Sequence, residues 1–162
     1  MKQKTSVSII GLLIAIIGIV SLVGSCSLSY KIKGVWEQTE SIRYDEDGKE
    51  ISKKEYPVDY SGGKRYEYYC FTKNNMGYYA YKIVGGSEAT GLTRSADPFA
   101  YTVSGNSLIM DGKTTLVISG KTATITSEYK GPNGKMMKTV EKYKKVSSPS
   151  VKDIETAKKN DN

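Results

Sequence analysis

The chain of 162 residues contains no histidine. That absence removes the commonest general base, the usual Ser/His and Cys/His nucleophile systems and most zinc sites. The chemistry that remains belongs to carboxylates, tyrosines and the two cysteines, Cys26 and Cys70. Glu40, Glu67, Glu128 and Glu141 could supply paired carboxylates for glycoside hydrolysis, but nothing in their spacing selects a pair, and the chain reads as non-catalytic. Asp45-Glu46-Asp47-Gly48 is as acidic as a calcium loop, yet it lacks the alternate oxygen spacing and the terminal glutamate. A charged hairpin turn explains it better. Gly62-Gly63 and Gly85-Gly86 are loop glycines, with neither the Lys-Ser/Thr of a P-loop nor a strand-then-helix setting. No metal or cofactor is expected. The net charge of +7 favours anionic surfaces weakly, and the lysines between Lys135 and Lys145 read as a solvated face. Without an arginine-rich run or a recognition motif, a nucleic-acid partner is not expected.

The residue pattern points more readily to binding. Trp36, Gln38, Glu40 and Ile42 alternate onto one face of an extended segment. An inward carboxylate among them would have a raised pKa or would pair with a cation, and could anchor a ligand's polar head. A bulge that turns Glu40 out, or a mouth position where water reaches it, fits equally. Six tyrosines crowd residues 66–81. Tyr79, Tyr81 and Ile83 share a face opposite Tyr78, Ala80 and Lys82, and Phe99, Tyr101 and Val103 repeat the alternation. Gln38, Glu40, Tyr79, Tyr81, Phe99 and Tyr101 are therefore the expected ligand-binding set. An ordinary packed core would alternate in the same way, because side chains alone can fill a small barrel.

The elements that must position these residues are strands. Short runs rich in Tyr, Thr, Val and Ile lie between turn residues. They predict strands at 34–44, 64–72, 76–84, 97–103, 106–110, 113–119, 121–129 and 135–146. Lys73-Asn74-Asn75 and Gly131-Pro132-Asn133-Gly134 read as hairpin turns. Residues 48–63 read as an irregular connection and 85–96 as a loop. Eight sequential strands predict an all-β domain over 34–146, an antiparallel up-and-down barrel that leaves no exposed edge, with a two-sheet sandwich as the alternative. Residues 147–162 read as a flexible polar tail, although Ser150 and Asp153 could cap a brief helix carrying Val151 and Ile154.

The N-terminus has the layout of an export signal. Lys2 and Lys4 precede an uncharged, largely apolar run from Val7 to Val23, short of the roughly 20 residues that a membrane-spanning helix needs. Val23-Gly24-Ser25-Cys26 resembles the bacterial lipobox. That resemblance implies cleavage after Ser25, a diacylglycerol on Cys26, a tether over 26–33, and stable insertion in a bilayer once a second chain is added. An uncleaved membrane span is the alternative. With Cys26 lipidated, Cys70 has no intramolecular partner. Ser27 is not the aspartate that retains such proteins at the inner membrane in enterobacterial-type sorting, and no acidic run follows it. The expected location is the periplasmic face of an outer membrane.

Gly34-Val35-Trp36 resembles the Gly-x-Trp signature of lipocalins and their calycin relatives. "YYCFTKNNMGYY", "FAYTVSGNSLIM" and "VEKYKKV" are similar to segments of small lipocalin-like bacterial lipoproteins. The resemblance covers about residues 33–146 and implies structural roles for Gly34 and Trp36, the indole plugging one end of the barrel. It also implies a basic cover for that ring, for which Lys142 and Lys144 are the candidates. Two departures stand out: no Thr-Asp-Tyr motif is present, and lysine replaces the usual closing arginine. The functions implied are binding of a small, largely apolar ligand or, with a filled barrel, a non-catalytic contact with an envelope protein as inhibitor or accessory subunit. Fold likeness alone does not choose between them.

Overall fold

The computed structural model describes residues 31–110, 112 and 114–160. The leader, Cys26 and its proposed lipidation lie outside the described residues. Among those described, the strands are β1 (Gly34–Tyr44), β2 (Glu50–Glu55), β3 (Val58–Tyr60), β4 (Gly63–Phe71), β5 (Met76–Val84), β6 (Thr90–Ser95), β7 (Phe99–Ser104), β8 (Ser107–Met110), β9 (Thr114–Ser119), β10 (Thr122–Lys130), β11 (Met136–Val146) and β12 (Lys158–Asn160). One short helix, α1 (Val151–Glu155), precedes β12.

Eight of these strands close a ring. Following hydrogen-bonded neighbours leads from β1 through β4, β5, β7, β8, β9, β10 and β11 back to β1. All of these pairings are antiparallel and the order follows the sequence, so the domain is an up-and-down barrel and not a sandwich. Each barrel strand lies within two residues of its expected bounds. The turns between them carry the residues their geometry requires. Gly105 and Gly120 have φ of 56° and 63°, values that only glycine adopts readily. At Asp45 the carboxylate accepts from the backbone N–H of Asp47 (3.1 Å) and Lys49 (2.8 Å). That is turn chemistry of the kind expected of the acidic run.

The ring is complete only at one end. β1 pairs with β4 from Gly34 to Glu37 and then, beyond a bulge at Thr39, with β2 from Glu40 onward. Near its own start β4 pairs instead with β3. β2 and β3 thus form the two arms of a wedge inserted where β1 and β4 part. On the far side of β5, β6 covers the stretch Ala80–Ile83 and β7 covers Met76–Gly77. These two strands divide one side of β5 between them, with residues 96–98 at the break. Residues 48–63 and 85–96 are therefore structured, contrary to the loops expected there. Their polar composition conceals strands: β2 is exposed throughout, and the residues β6 buries, Thr93 and Arg94, are polar.

The C-terminal segment also departs from expectation. Ser150 and Asp153 form a reciprocal capping box on α1, and β12 runs parallel to β6. Ile154 is fully buried against an outer-face cluster of Val35, Tyr68, Cys70 and Ala80. The tail is held because β4 and β5 present apolar side chains on both faces and the outer face needs a cover.

Candidate functional site

The two halves of the barrel interior differ in chemistry. The end from which β1 starts is dry and packed. There Trp36, Phe71, Leu108, Leu116 and Ile125 are at most 1% exposed, and the Trp36 Nε1–H donates to the Ile32 carbonyl oxygen at 2.9 Å. Tyr101 belongs to this plug; its hydroxyl donates to the Thr72 carbonyl at 2.7 Å. The Phe99 ring lies on Gly77, where an added Cβ would approach it to 2.4 Å. Tyr69 sits at the inner limit of the plug, its ring 5.4 Å from that of Tyr143 and 6.1 Å from that of Phe71.

Beyond Tyr69 and Tyr143 the inward-facing side chains turn polar. β4 places Glu67 and Arg65 on the face that carries Tyr69 and Phe71, and β5 sets Tyr81 and Ile83 opposite them. Arg65 Nε lies 3.1 Å from the Glu67 carboxylate, an ion contact whose angle is poor for a hydrogen bond. Its Nη2 donates to the Tyr79 hydroxyl at 3.3 Å. The guanidinium also lies 4.6 Å from the Tyr81 ring centroid and 5.6 Å from that of Tyr60. On β11 the Tyr143 hydroxyl donates to Glu141 at 2.9 Å. Gln38, in register with Tyr143, is 3% exposed, and its Nε2 has no hydrogen-bond partner.

These phenols are held in their neutral, donating form. Burial, reinforced by the Glu67 charge, raises the pKa of Tyr79. Burial and then the charge of Glu141 do the same for Tyr143. Tyr56, at the tip of the wedge, is raised by burial and by the charges of Glu67 and Glu141 together. Raised phenol pKa values follow from both causes, since each disfavours phenolate. Between the wedge arms and β4 an open cleft of about 710 Å³ runs past Lys53, Tyr56, Tyr60, Arg65 and Glu67. Its walls offer hydrogen-bond donors and acceptors beside tyrosine rings.

Several residues expected from the sequence lie elsewhere. The bulge at Thr39 changes the phase of β1, so Glu40 faces outward. It pairs there with Lys53 (2.9 Å) and Lys142 (2.6 Å), which lower its pKa. Lys144 pairs with Glu37 at 2.8 Å on the same outer surface. Neither Lys142 nor Lys144 covers the indole. That position belongs to Lys145, in register with Trp36, whose ammonium lies 5.5 Å from the ring centroid and donates to the Lys31 carbonyl. Residue type does not choose among the three lysines; the register of β11 against β1 does. Gln38, Tyr79 and Tyr81 do share the inner wall, whereas Phe99 and Tyr101 lie in the dry plug. Arg65 and Tyr56 were not foreseen, because the first stands in a mixed polar run and the second in an apparent loop. Gly63 marks how tightly the mouth is built: an added Cβ would lie 2.1 Å from the Gly85 carbonyl oxygen.

Comparison of the chain with family models, with curated proteins and with solved structures finds no match.

Proposed function

We propose that this protein is a lipid-anchored envelope lipoprotein, held through acylated Cys26 at the periplasmic face of an outer membrane. Its barrel binds a small ligand without catalysis. The observation that carries the reading is the division of the interior. One end is filled, while the other turns Gln38, Arg65, Glu67, Tyr79 and Glu141 inward, and Arg65 and Glu67 among them also line an open cleft of about 710 Å³. That volume falls within the roughly 300–1,000 Å³ usual for small-molecule sites. The lining alters one expectation. An apolar ligand would offer nothing to the unpaired Gln38 Nε2 and would strip water from the Arg65–Glu67 ion pair, at about 1–3 kcal/mol for each polar group left unsatisfied. A ligand polar on its bound face suits them. A lipocalin-like relationship remains part of the proposal, supported by the closed barrel and by the buried tryptophan beneath a basic side chain.

Native mass spectrometry of protein purified from its own envelope tests the reading. The expected result is a small-molecule adduct whose occupancy falls at least tenfold in Arg65→Ala while thermal unfolding stays cooperative. Adduct-free protein under conditions that preserve a known lipocalin–ligand complex would overturn it.

A further inference from the structure

We infer that the ligand is a small primary amine carrying an acceptor oxygen a few bonds away, in the manner of an amino alcohol or amino sugar. The inference rests on the ligand-binding reading and gives it a chemical class. It begins with the two carboxylates on the inner wall among the described residues. Glu67 has its counter-charge in Arg65. Glu141 has none: its partner is the neutral Tyr143 hydroxyl, and no lysine or arginine among the described residues lies within ion-pair distance of it. The outward carboxylates Glu37, Glu40, Glu46, Glu55 and Asp59 are all paired with lysines. Glu50, Glu88, Glu128 and Glu155 also stand without a lysine or arginine partner, but they are exposed, whereas Glu141 is half-buried on the inner wall.

Besides Lys54, which is exposed on β2 in register with Ser41, itself in register with Glu141, Arg43 is the other cation aimed toward this half of the barrel among the described residues. It is exposed at the rim and donates Nε and Nη2 to the Tyr129 hydroxyl at 3.2 and 3.1 Å. Among the part-buried charges Arg65, Glu67 and Glu141, carboxylates outnumber cations two to one, while Arg43 and Lys54 are exposed. A half-buried carboxylate gains most from a cation that also hydrogen-bonds to it, and nearby tyrosine faces add attraction for an ammonium. Tyr56 and Tyr143 both lie close enough for the Glu141 charge to act on their phenols.

The second observation is independent. Gln38 is nearly fully buried on the inner face of β1, directly across from Tyr143, and its Nε2 donor is unsatisfied. Buried donors are rarely left unpaired. This one is open to an acceptor, and a ligand oxygen would supply it. Glu141 and Gln38 together ask for opposite ends of one small molecule, an ammonium at the first and an oxygen at the second. Tyr143 is hydrogen-bonded to the first and in register with the second.

The sequence provides its own reporter, because Gln3 in the leader and Gln38 are the only glutamines. Protein labelled with ¹⁵N-glutamine is titrated with ethanolamine and with glucosamine, and separately with ethylene glycol and glucose, while the Gln38 side-chain amide signal is followed. The expected result is that at least one amine shifts this signal to saturation at a tenfold or more lower concentration than its neutral counterpart. Glu141→Gln, which keeps the side chain's size and an acceptor for Tyr143, adds one amide signal, told from that of Gln38 by its absence in the wild type; it should abolish that preference without changing the thermal midpoint appreciably. Equal response to amine and neutral probe, or a preference that survives Glu141→Gln, overturns the amine class. So does an envelope-derived adduct in protein whose Gln38 signal neither amine moves; binding of some other ligand would then stand. No adduct and no shift would end both readings.

Discussion

At the scale of single residues, one inserted amino acid decides which side chains reach the interior. Regular alternation would carry Trp36, Gln38, Glu40 and Ile42 to the same face, but the bulge at Thr39 sends Glu40 outward to Lys53 and Lys142. Sequence allows such a bulge without locating it, since it emerges from pairing with β11 rather than from residue type. The cover over Trp36 shows the same dependence on register: Lys142, Lys144 and Lys145 are chemically alike, yet only Lys145 pairs opposite the indole. Trp36 is the only tryptophan, so its fluorescence reads this site alone. Lys145→Ala should shift Trp36 emission and raise its acrylamide quenching. The stability lost should be about 0.5–2 kcal/mol, the range of a partly desolvated cation–π contact. Lys142→Ala and Lys144→Ala should leave the emission unchanged, because both side chains lie on the outer surface. Trp36→Ala should cost about 3–5 kcal/mol through lost burial and a residual cavity. An emission change in Lys144→Ala equal to that in Lys145→Ala would contradict this register.

Among the elements, strands that bury one face were legible and strands that bury neither were not. β5 reads Met-Gly-Tyr-Tyr-Ala-Tyr-Lys-Ile-Val between turn residues, a pattern that announces its ends and its two faces. β2, Glu-Ile-Ser-Lys-Lys-Glu, is exposed throughout and has no apolar period to read. Its existence depends on the parting of β1 from β4, a tertiary event. α1 lies between these cases. Ser150 and Asp153 carry the signal for its cap, but a five-residue helix has no stability of its own. It persists because Ile154 docks on the outer face of β4 and β5. Cys70 reports that docking. It is a free thiol, wholly buried, and burial pushes its pKa up to about 12, so a thiol reagent at neutral pH meets neither access nor thiolate. Ile154→Asp should undock α1 and make Cys70 react with a disulfide-exchange reagent at least tenfold faster, while the barrel's cooperative unfolding persists. Unchanged reactivity in that variant would mean that the barrel strands bury the thiol without help from the C-terminal segment.

The whole molecule has a direction. β1 starts at the dry end, beside the turns at 104–106 and 120–121, while the cleft, the Gly63–Gly85 crossing and the turns at 45–48 and 131–134 lie at the other. If Cys26 carries the proposed lipid, residues 27–33 span at most about 3.3–3.6 Å each, which keeps the plugged end near the bilayer and turns the mouth toward the aqueous side. A ligand would then arrive from solution rather than from the membrane, in keeping with a polar lining. Orientation can be measured on acylated protein in vesicles whose headgroups carry a nitroxide quencher, with Cys26→Ser as the variant that should fail to bind the vesicles. A fluorophore replacing Lys121, exposed at the plugged end, should be quenched more strongly than one replacing Lys49, exposed in the turn at the open end. Headgroup quenching falls off within a few ångströms of contact, whereas β1 alone, at roughly 3.4 Å per residue, separates the two ends by several times that distance. Equal quenching at both positions would mean that the barrel lies on its side, and stronger quenching at position 49 would turn the mouth to the membrane and favour a lipid-derived ligand instead.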